Sequence, residues 1–214
     1  MKITCLSDTH GGHHEFKDVG SGDVVVFAGD VTNVGELHLL VSFLNWAENL
    51  NFKHKILVAG NHDWCFSDRN RYLAIEECSI RGIIYLEDSK REINGVNFYG
   101  SPWQPEFCDW AFNLPRGNAL LEKWSMIPND TDVLITHTPP SSILDVNLGD
   151  EHCGCEDLFD EVTNRVKPMF HVFGHIHLGY GVCKKENTVF INASICDEEY
   201  NLTNKPLSFI IDKS

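Results

Sequence analysis

Residues 23–30 read DVVVFAGD. Val24 to Ala28 are apolar without interruption, the pattern of a strand buried on both faces, as in a parallel sheet covered by helices. Gly29-Asp30 then breaks the run with a residue that turns freely and one that carries charge. The same grammar recurs on both sides. KITCLS (2–7) runs into Asp8-x-His10, KILVA (55–59) into Gly60-Asn61-His62-Asp63, and DVLIT (132–136) into His137. MFHVF (169–173) runs into Gly174-His175-Ile176-His177, and shares the pattern if that strand is parallel, a direction the sequence leaves open. In open α/β sheets, sites form beyond the carboxyl ends of the strands. Clusters distant in the chain can therefore meet at one edge.

Between these runs lie helical patterns. Glu36–Asn49 places Leu37, Leu40, Val41, Leu44 and Ala47 at helical spacing, and Arg71–Cys78 reads as a short helix. From Ile83 the character changes to short β-runs at 83–86, 91–93 and 96–99, the last two joined by Asn94-Gly95, a tight hairpin signal. A Pro- and aromatic-rich connection, GSPWQPEFCDWAFNLPRG, spans 100–117. Helices over 117–124 and 156–166 and strands over 188–192 and 207–211 complete the pattern, which predicts two packed sheets with helices outside.

With 214 residues, the chain has the length of one domain, expected to span 1–214. Lys and Arg total 17 against 31 Asp and Glu, a formal charge of −14, which disfavours long polyanions, since those bind through many basic contacts. A small phosphorylated partner is compatible, because bound cations attract it locally. No 18-residue apolar run and no leader pattern at Met1–Ser7 are visible, so no membrane association and a cytoplasmic location are expected. The eight scattered cysteines read as reduced, mostly buried thiols rather than disulfides. His152 with Cys153-x-Cys155 hints at zinc, but no second pair follows. His13 and His14 read as solvated loop residues.

The ligand types fit a metal centre. In extended backbone, residues i and i+2 point to one side, so Asp8 and His10 can grip one ion, and His175 and His177 another. Carboxylate, amide oxygen and imidazole suit Mn, Fe, Zn or Mg ions, and Asp30 has two oxygens with which to bridge a pair. Each piece has a plainer reading: Asp-x-His as a surface pair, Gly-Asp and Gly-Asn-His-Asp as Asx turns, His137 as a structural histidine. The joint pattern at successive strand ends favours metal.

Taken together, Asp8-x-His10, Gly29-Asp30, Gly60-Asn61-His62-Asp63, His137 and Gly174-His175-x-His177 resemble the motif series of the calcineurin-like metallophosphoesterase superfamily. The stretches 100–117, THTPP (136–140), Gly154-Cys155, KPMFHVFGHIHLGYG (167–181) and INAS (191–194) look like its metallophosphoesterase-domain-containing subfamily, whose animal members are small phosphodiesterases. The resemblance implies a four-layer α/β/β/α sandwich holding two divalent cations, manganese first among them, with iron, magnesium or zinc as alternatives. By resemblance, Asp8, His10 and His177 would hold the first metal, Asn61, His137 and His175 the second, and Asp30 would bridge them. His62 would sit by the substrate as proton donor or phosphate contact, beside Asn61, with Asp63 orienting it. The chain departs from protein Ser/Thr phosphatases in reading GDVTNVG after the strand, and from purple acid phosphatases in lacking a tyrosine after Asp30. Some subfamily relatives carry Gly where this chain has His175, so a complete two-metal site is expected here.

The expected reaction is hydrolysis of small phosphodiesters, cyclic nucleotides among them, by direct attack of metal-activated water. Alternatives are a phosphomonoesterase or nuclease, or a nucleotide-binding scaffold with residual activity. Trp103, Phe107, Trp110 and Phe112 read as a hydrophobic cluster under a loop or as a pocket wall, and Arg116 as a substrate contact or the partner of a surface carboxylate. His152 and Cys155 stay open between a substrate-side role and packing, and the oligomeric state is unknown.

Overall fold

A computed structural model describes residues 1–16 and 18–213. The elements run β1 (Lys2–Leu6), β2 (Gly22–Ala28), α1 (Leu37–Glu48), β3 (Phe52–Val58), α2 (Arg71–Ile80), β4 (Ile83–Tyr85), β5 (Ser89–Ile93) and β6 (Val96–Ser101). They continue β7 (Gln104–Pro105), β8 (Asn113–Leu114), α3 (Asn118–Ser125), β9 (Val133–Thr136), α4 (Glu156–Asp160), β10 (Phe170–Phe173), β11 (Gly181–Lys185), β12 (Thr188–Asn192) and β13 (Leu207–Ile210).

Two mixed sheets result. The first has the order β13-β1-β2-β3-β4, parallel except for β13. The second has the order β11-β12-β10-β9-β6-β5, with β6, β9, β10 and β12 parallel and β5 and β11 antiparallel at its edges. The direction of β10, open in the sequence, is thus parallel to its neighbours, and its carboxyl end joins the others.

Three apolar clusters separate four layers. Along β2, Val25 and Phe27 face α1 and α2 and pack with Leu40, Phe43, Leu44, Ala74 and Cys78. Val24, Val26 and Ala28 alternate to the other face and meet Phe98, Val133, Ile135 and Val172 of the second sheet. Leu134, Phe173 and Phe190, on the far face of that sheet, pack with Leu120 and Trp124 of α3 and Leu158 of α4. Period-two alternation within wholly apolar strands therefore builds two interfaces from one segment. This is the α/β/β/α sandwich expected.

Three local readings differ. The 156–166 helix is α only to Asp160, then widens into a π-turn over Glu161–Val166 that ends on Lys167 at φ 50°. β11 has no counterpart in the sequence reading, because its charged, half-exposed GVCKK lacks an apolar run. His13 is buried against Phe43 and Trp46, with Nε2 on the Ser42 hydroxyl (3.1 Å), so the expectation of a solvated residue fails there; His14 is exposed as expected. All eight cysteines are free thiols. No helix among the described residues is long and apolar enough to cross a membrane.

Candidate metal centre

Strand ends build the site. Beyond β1 and β2 the chains keep pairing through their loops: Asp8 N–H donates to Gly29 O (3.0 Å) and His10 N–H to Asp30 O (3.0 Å). Ser7 N–H donates to Ala193 O (2.8 Å), and Ile195 N–H to Ser7 O (3.1 Å), which stitches the two sheets together at this edge. Asp8, His10, Asp30 and His175 all have left-handed backbone, at φ 60°, 42°, 54° and 68°. These residues therefore do not converge by alternation in extended chain, as the i, i+2 spacing implies. Each makes a sharp turn, which Asp and His tolerate better than most residues. Strain of this kind collects at functional sites.

The side chains that follow are nearly all inaccessible. Asp8 is 0% and Asp30 2% exposed. His137 Nε2 lies 3.1 Å from Asp30 Oδ2 and 3.0 Å from Asn61 Oδ1. His10 Nε2 is 3.9 Å from the same Asp30 oxygen, and His177 Nε2 is 3.7 Å from Asp8 Oδ1. His175 presents its main-chain N–H to both Asp8 oxygens (3.2 Å each), its ring 5.0 Å from that of His137. All seven residues expected from the sequence thus converge.

The imidazoles share one construction. The Nδ1 of His137 bonds Ala28 O (2.8 Å), that of His177 bonds Asp197 O (3.0 Å) and that of His62 bonds Asn33 O (2.6 Å). A carbonyl accepts only, so Nδ1 carries the proton and Nε2 is left facing the cluster. This is how proteins orient metal-binding histidines. His10 goes further: its side chain is 4% exposed, and neither ring nitrogen has a hydrogen-bond partner among the described residues. A buried orphan nitrogen is costly unless something absent satisfies it. Three groups of donor atoms lie mutually within 4.8 Å: His10–Asp30–His62, Asp30–His137–His175 and His10–His177–Cys196. Asp30 belongs to two of them, as a bridging residue would. These residues fit a pair of divalent cations.

Glycines make the closeness possible. A Cβ on Gly60 would stand 2.6 Å from Asp30 N and 2.8 Å from Asp30 Cγ, with Oδ1 closer still. One on Gly174 would meet Ser7 Cβ at 2.6 Å and press on Asp8 Oδ2.

Electrostatics divides the histidines. Burial pushes His10 down to about 4 and His175 to about 3, so both stay neutral. Burial also opposes charge on His137, but Asp30 outweighs it and raises that ring to about 9. His177, bonded to Asp8, is raised against burial to about 12. In turn, burial disfavours ionised Asp8, yet His177 and His137 hold it down at about 2. Without a cation, protonated imidazoles balance the two carboxylates.

His62 and Asp63 take different places. His62 N–H donates to Asp30 Oδ1 (2.8 Å), and its ring is stacked on Trp110 at 4.0 Å. The expected orienting bond from Asp63 is not made; Asn33 O holds the His62 ring instead. Asp63 is fully buried and accepts N–H groups of Val31 (3.3 Å), Thr32 (2.9 Å) and Gly60 (2.9 Å), plus the Thr32 hydroxyl (2.8 Å). It ties the loops after β2 and β3 together, so its influence on His62 runs through the backbone. Burial and the charge of Asp30 raise its carboxyl to about 6.

A cleft of about 540 Å³ opens over the cluster. The aromatic connection divides between the two readings: Phe107 and Trp110 line the cleft, whereas Trp103 and Phe112 pack into the α-side core, Trp103 Nε1 donating to Asp88 (2.8 Å). Arg116 lines the cleft but pairs with Glu156 and donates to Gly154 O (2.9 Å) and Cys153 O (3.2 Å). Its guanidinium is thus engaged as the surface-pairing reading holds, and it braces the rim. Cys155 is buried and accepts Trp124 Nε1–H (3.3 Å), a packing role. Tyr200, which the sequence does not single out, sets its ring 4.7 Å from His10 and 5.4 Å from His177. Its segment, DEEYN, carries no chemical signature, and only the long return from β12 brings it here.

Comparison with known proteins agrees with this geometry. The family described as calcineurin-like phosphoesterase matches residues 1–179. The chain is 39% identical over 228 residues to human metallophosphoesterase domain-containing protein 1, covering 96% of this chain and 69% of that one. It is also 39% identical to the Caenorhabditis elegans UPF0046 protein K07C11.7, over 100% of this chain and 76% of the other. The crystal structure of TT1561 of Thermus thermophilus shares the fold at a TM-score of 0.61 and 13% identity, covering 89% of this chain and 88% of that one.

Proposed function

The chain belongs to the calcineurin-like phosphoesterase family and is a metal-dependent phosphoester hydrolase; within that activity we propose that it cleaves small phosphodiesters, cyclic nucleotides among them. The observation that carries the reading is the convergence of Asp8, His10, Asp30, Asn61, His137, His175 and His177 below one cleft, with the His10 nitrogens buried and unpartnered. In this reading Asp8, His10 and His177 would hold one divalent cation and Asn61, His137 and His175 the other, with Asp30 available to both. Manganese is the first candidate, since the oxygen and imidazole set has no preformed thiolate. Bound cations supply Lewis-acid polarisation of the phosphoryl group and lower the pKa of water.

The residues of the chain do the rest. As an imidazolium, His62 would keep Nδ1–H on Asn33 and present Nε2–H to the cleft, where it would donate to a phosphoryl oxygen or pass that proton to the departing alkoxide. Trp110 restrains its ring from one face. Asp63 fixes the loop that carries His62 and Asn61. Ile176 and Phe107 limit water on the flanks. The cleft suits a small ester, and the net charge of −14 weighs against polymeric nucleic acid. Eight unpaired thiols fit a reducing compartment such as the cytoplasm.

The test supplies purified protein with Mn²⁺ and compares bis-p-nitrophenyl phosphate, p-nitrophenyl phosphate and cyclic nucleotides. Diester turnover that disappears in Asp30→Ala and His137→Ala is expected. Preference for the monoester would refute diester specificity; turnover unaffected by either variant would refute the assigned site. Metal analysis of freshly isolated protein checks the choice of ion.

A further inference from the structure

Asp145 is wholly buried, although it stands in the loop between β9 and α4. Its Oδ2 accepts the N–H groups of Ser142 (2.9 Å) and Gly154 (3.0 Å), and its Oδ1 bonds Nδ1 of His152 (2.7 Å). The backbone is fixed as well: Cys153 N–H donates to Asp145 O (3.0 Å), Val146 bridges to His152, and Arg116 holds the carbonyls of Cys153 and Gly154. Burying a carboxylate is costly unless its bonds are all made. Two main-chain donors would suffice to hold the turn. The third bond goes to an imidazole whose side chain is 54% exposed.

That bond has a directional consequence. With Nδ1 on the carboxylate, Nε2 is the one polar atom of the ring left over, and it has no partner among the described residues. His152 lines the same cleft as His62 and His175. The anchoring of Nδ1 repeats that of His62, His137 and His177. Unlike those rings, His152 belongs to none of the donor groups around Asp30 or His177. It lines the cleft outside those donor groups, within the space open to the part of a substrate beyond the reacting phosphorus.

We propose that His152, positioned by Asp145, is a specificity-determining residue whose Nε2 accepts a hydrogen bond from an O–H or N–H on the ester arm outside the scissile phosphate, favouring arms of nucleoside type over purely aryl ones. The proposal rests on the phosphodiesterase reading above. Its test uses two esters with the same leaving group, bis-p-nitrophenyl phosphate and the p-nitrophenyl ester of thymidine 5′-phosphate. In His152→Ala, kcat/KM for the nucleoside ester falls roughly tenfold, the loss of about one hydrogen bond, while the bis-aryl ester stays within about twofold. His152→Gln, whose amide oxygen can stand in for Nε2 as acceptor, keeps most of the nucleoside preference. Imidazole ¹⁵N NMR shows Nδ1 protonated in the wild type and a mixed tautomer in Asp145→Asn, a readout that a purely turn-holding Asp145 would not move. Equal losses on both esters, or none on either, or no rescue by Gln, would overturn the proposal. No turnover by the wild type with any metal would instead refute the phosphodiesterase reading. Calorimetric binding of thymidine 5′-phosphate, roughly tenfold weaker in His152→Ala, then decides the role of His152 by itself.

Discussion

Gly60→Ala adds one methyl group beside the Asp30 carboxylate, which the proposed site would share between two cations. Gly60 does not need left-handed backbone, so the substitution carries no conformational penalty of its own. What it meets is Asp30: main-chain N at 2.6 Å and Cγ at 2.8 Å, against an ordinary contact of about 3.5 Å. Asp30 must retreat by at least roughly 0.7–0.9 Å to restore that contact, and its Oδ1 by more. It cannot retreat freely, because Oδ1 accepts His62 N–H (2.8 Å) and Oδ2 lies against His137. Metal–ligand distances tolerate about 0.2 Å, so the displacement exceeds the tolerance several times over. The expected outcome is a loss of about 100-fold in affinity for Mn²⁺, with a stability cost of only about 1–3 kcal/mol. Calorimetric titration of Mn²⁺ measures the first, and urea unfolding in chelator the second. Gly82→Ala, where the new methyl meets nothing within 4 Å, controls for loss of a glycine: it should cost stability through its φ of 66° and leave Mn²⁺ binding intact. If Gly60→Ala bound Mn²⁺ within about threefold of wild type, Asp30 could not occupy a position shared by the two ions.

Three further outcomes follow from the same geometry. Because Asp30 and Asp8 keep protons on His137 (about 9) and His177 (about 12), Mn²⁺ binding at pH 7 should expel up to two protons and strengthen as pH rises toward 9; titration in buffers of different ionisation enthalpy counts them, and a count of zero would contradict the assignment. Burial pushes His171 down to about 3, so below about pH 6.5 the unfolded chain takes a proton that the native state refuses, and stability declines with falling pH. At pH 5 this amounts to about 2 kcal/mol, and His171→Gln should lose that much less than wild type between pH 7 and 5 in urea unfolding. Trp110→Ala removes the ring stacked on His62 at 4.0 Å and should lower kcat roughly three- to tenfold, with Trp110→Phe in between; steady-state kinetics on a diester with a poor leaving group would show it.

What can be read from the sequence and what cannot divide along physical lines. DVVVFA and KILVA can only be strands covered on both faces, and the polar residues that end them can be named in advance because strand ends in a parallel arrangement share an edge. The direction of β10 needs the pairing partners on each side of it. Nothing in one-dimensional spacing distinguishes alternation from a left-handed turn, so Asp8, His10 and His175 read as extended residues and are not. Adjacency ties Asp63 to His62, whereas its four donors come from segments both next to it and some thirty residues away. Tyr200 reaches the site by tertiary return alone, and Asn33, in the loop that carries Asp30, contributes a main-chain carbonyl that no side-chain signature announces. The polar neighbours of His13 suggest solvent, yet Phe43 and Trp46 on α1 bury it.

The most informative feature is that the site is arranged against the stability of the chain that forms it. Four of its residues hold left-handed backbone, at about 1 kcal/mol each. His10 buries two unpartnered nitrogens, and Asp8 is buried beside Asp30, whose charge adds to the burial cost that His177 and His137 must offset. Summed, these terms are comparable with the net stability of an ordinary domain. Such an arrangement persists because two sheets flank it, and Ser7 ties them together with bonds from both its N–H and its C=O. It also shows how the donor set fits a cation. Protonated imidazoles can balance the charge of the carboxylates, but they leave the His10 nitrogens unpaired. A divalent ion would balance the charge and take the lone pair of one His10 nitrogen together, offsetting part of the strain.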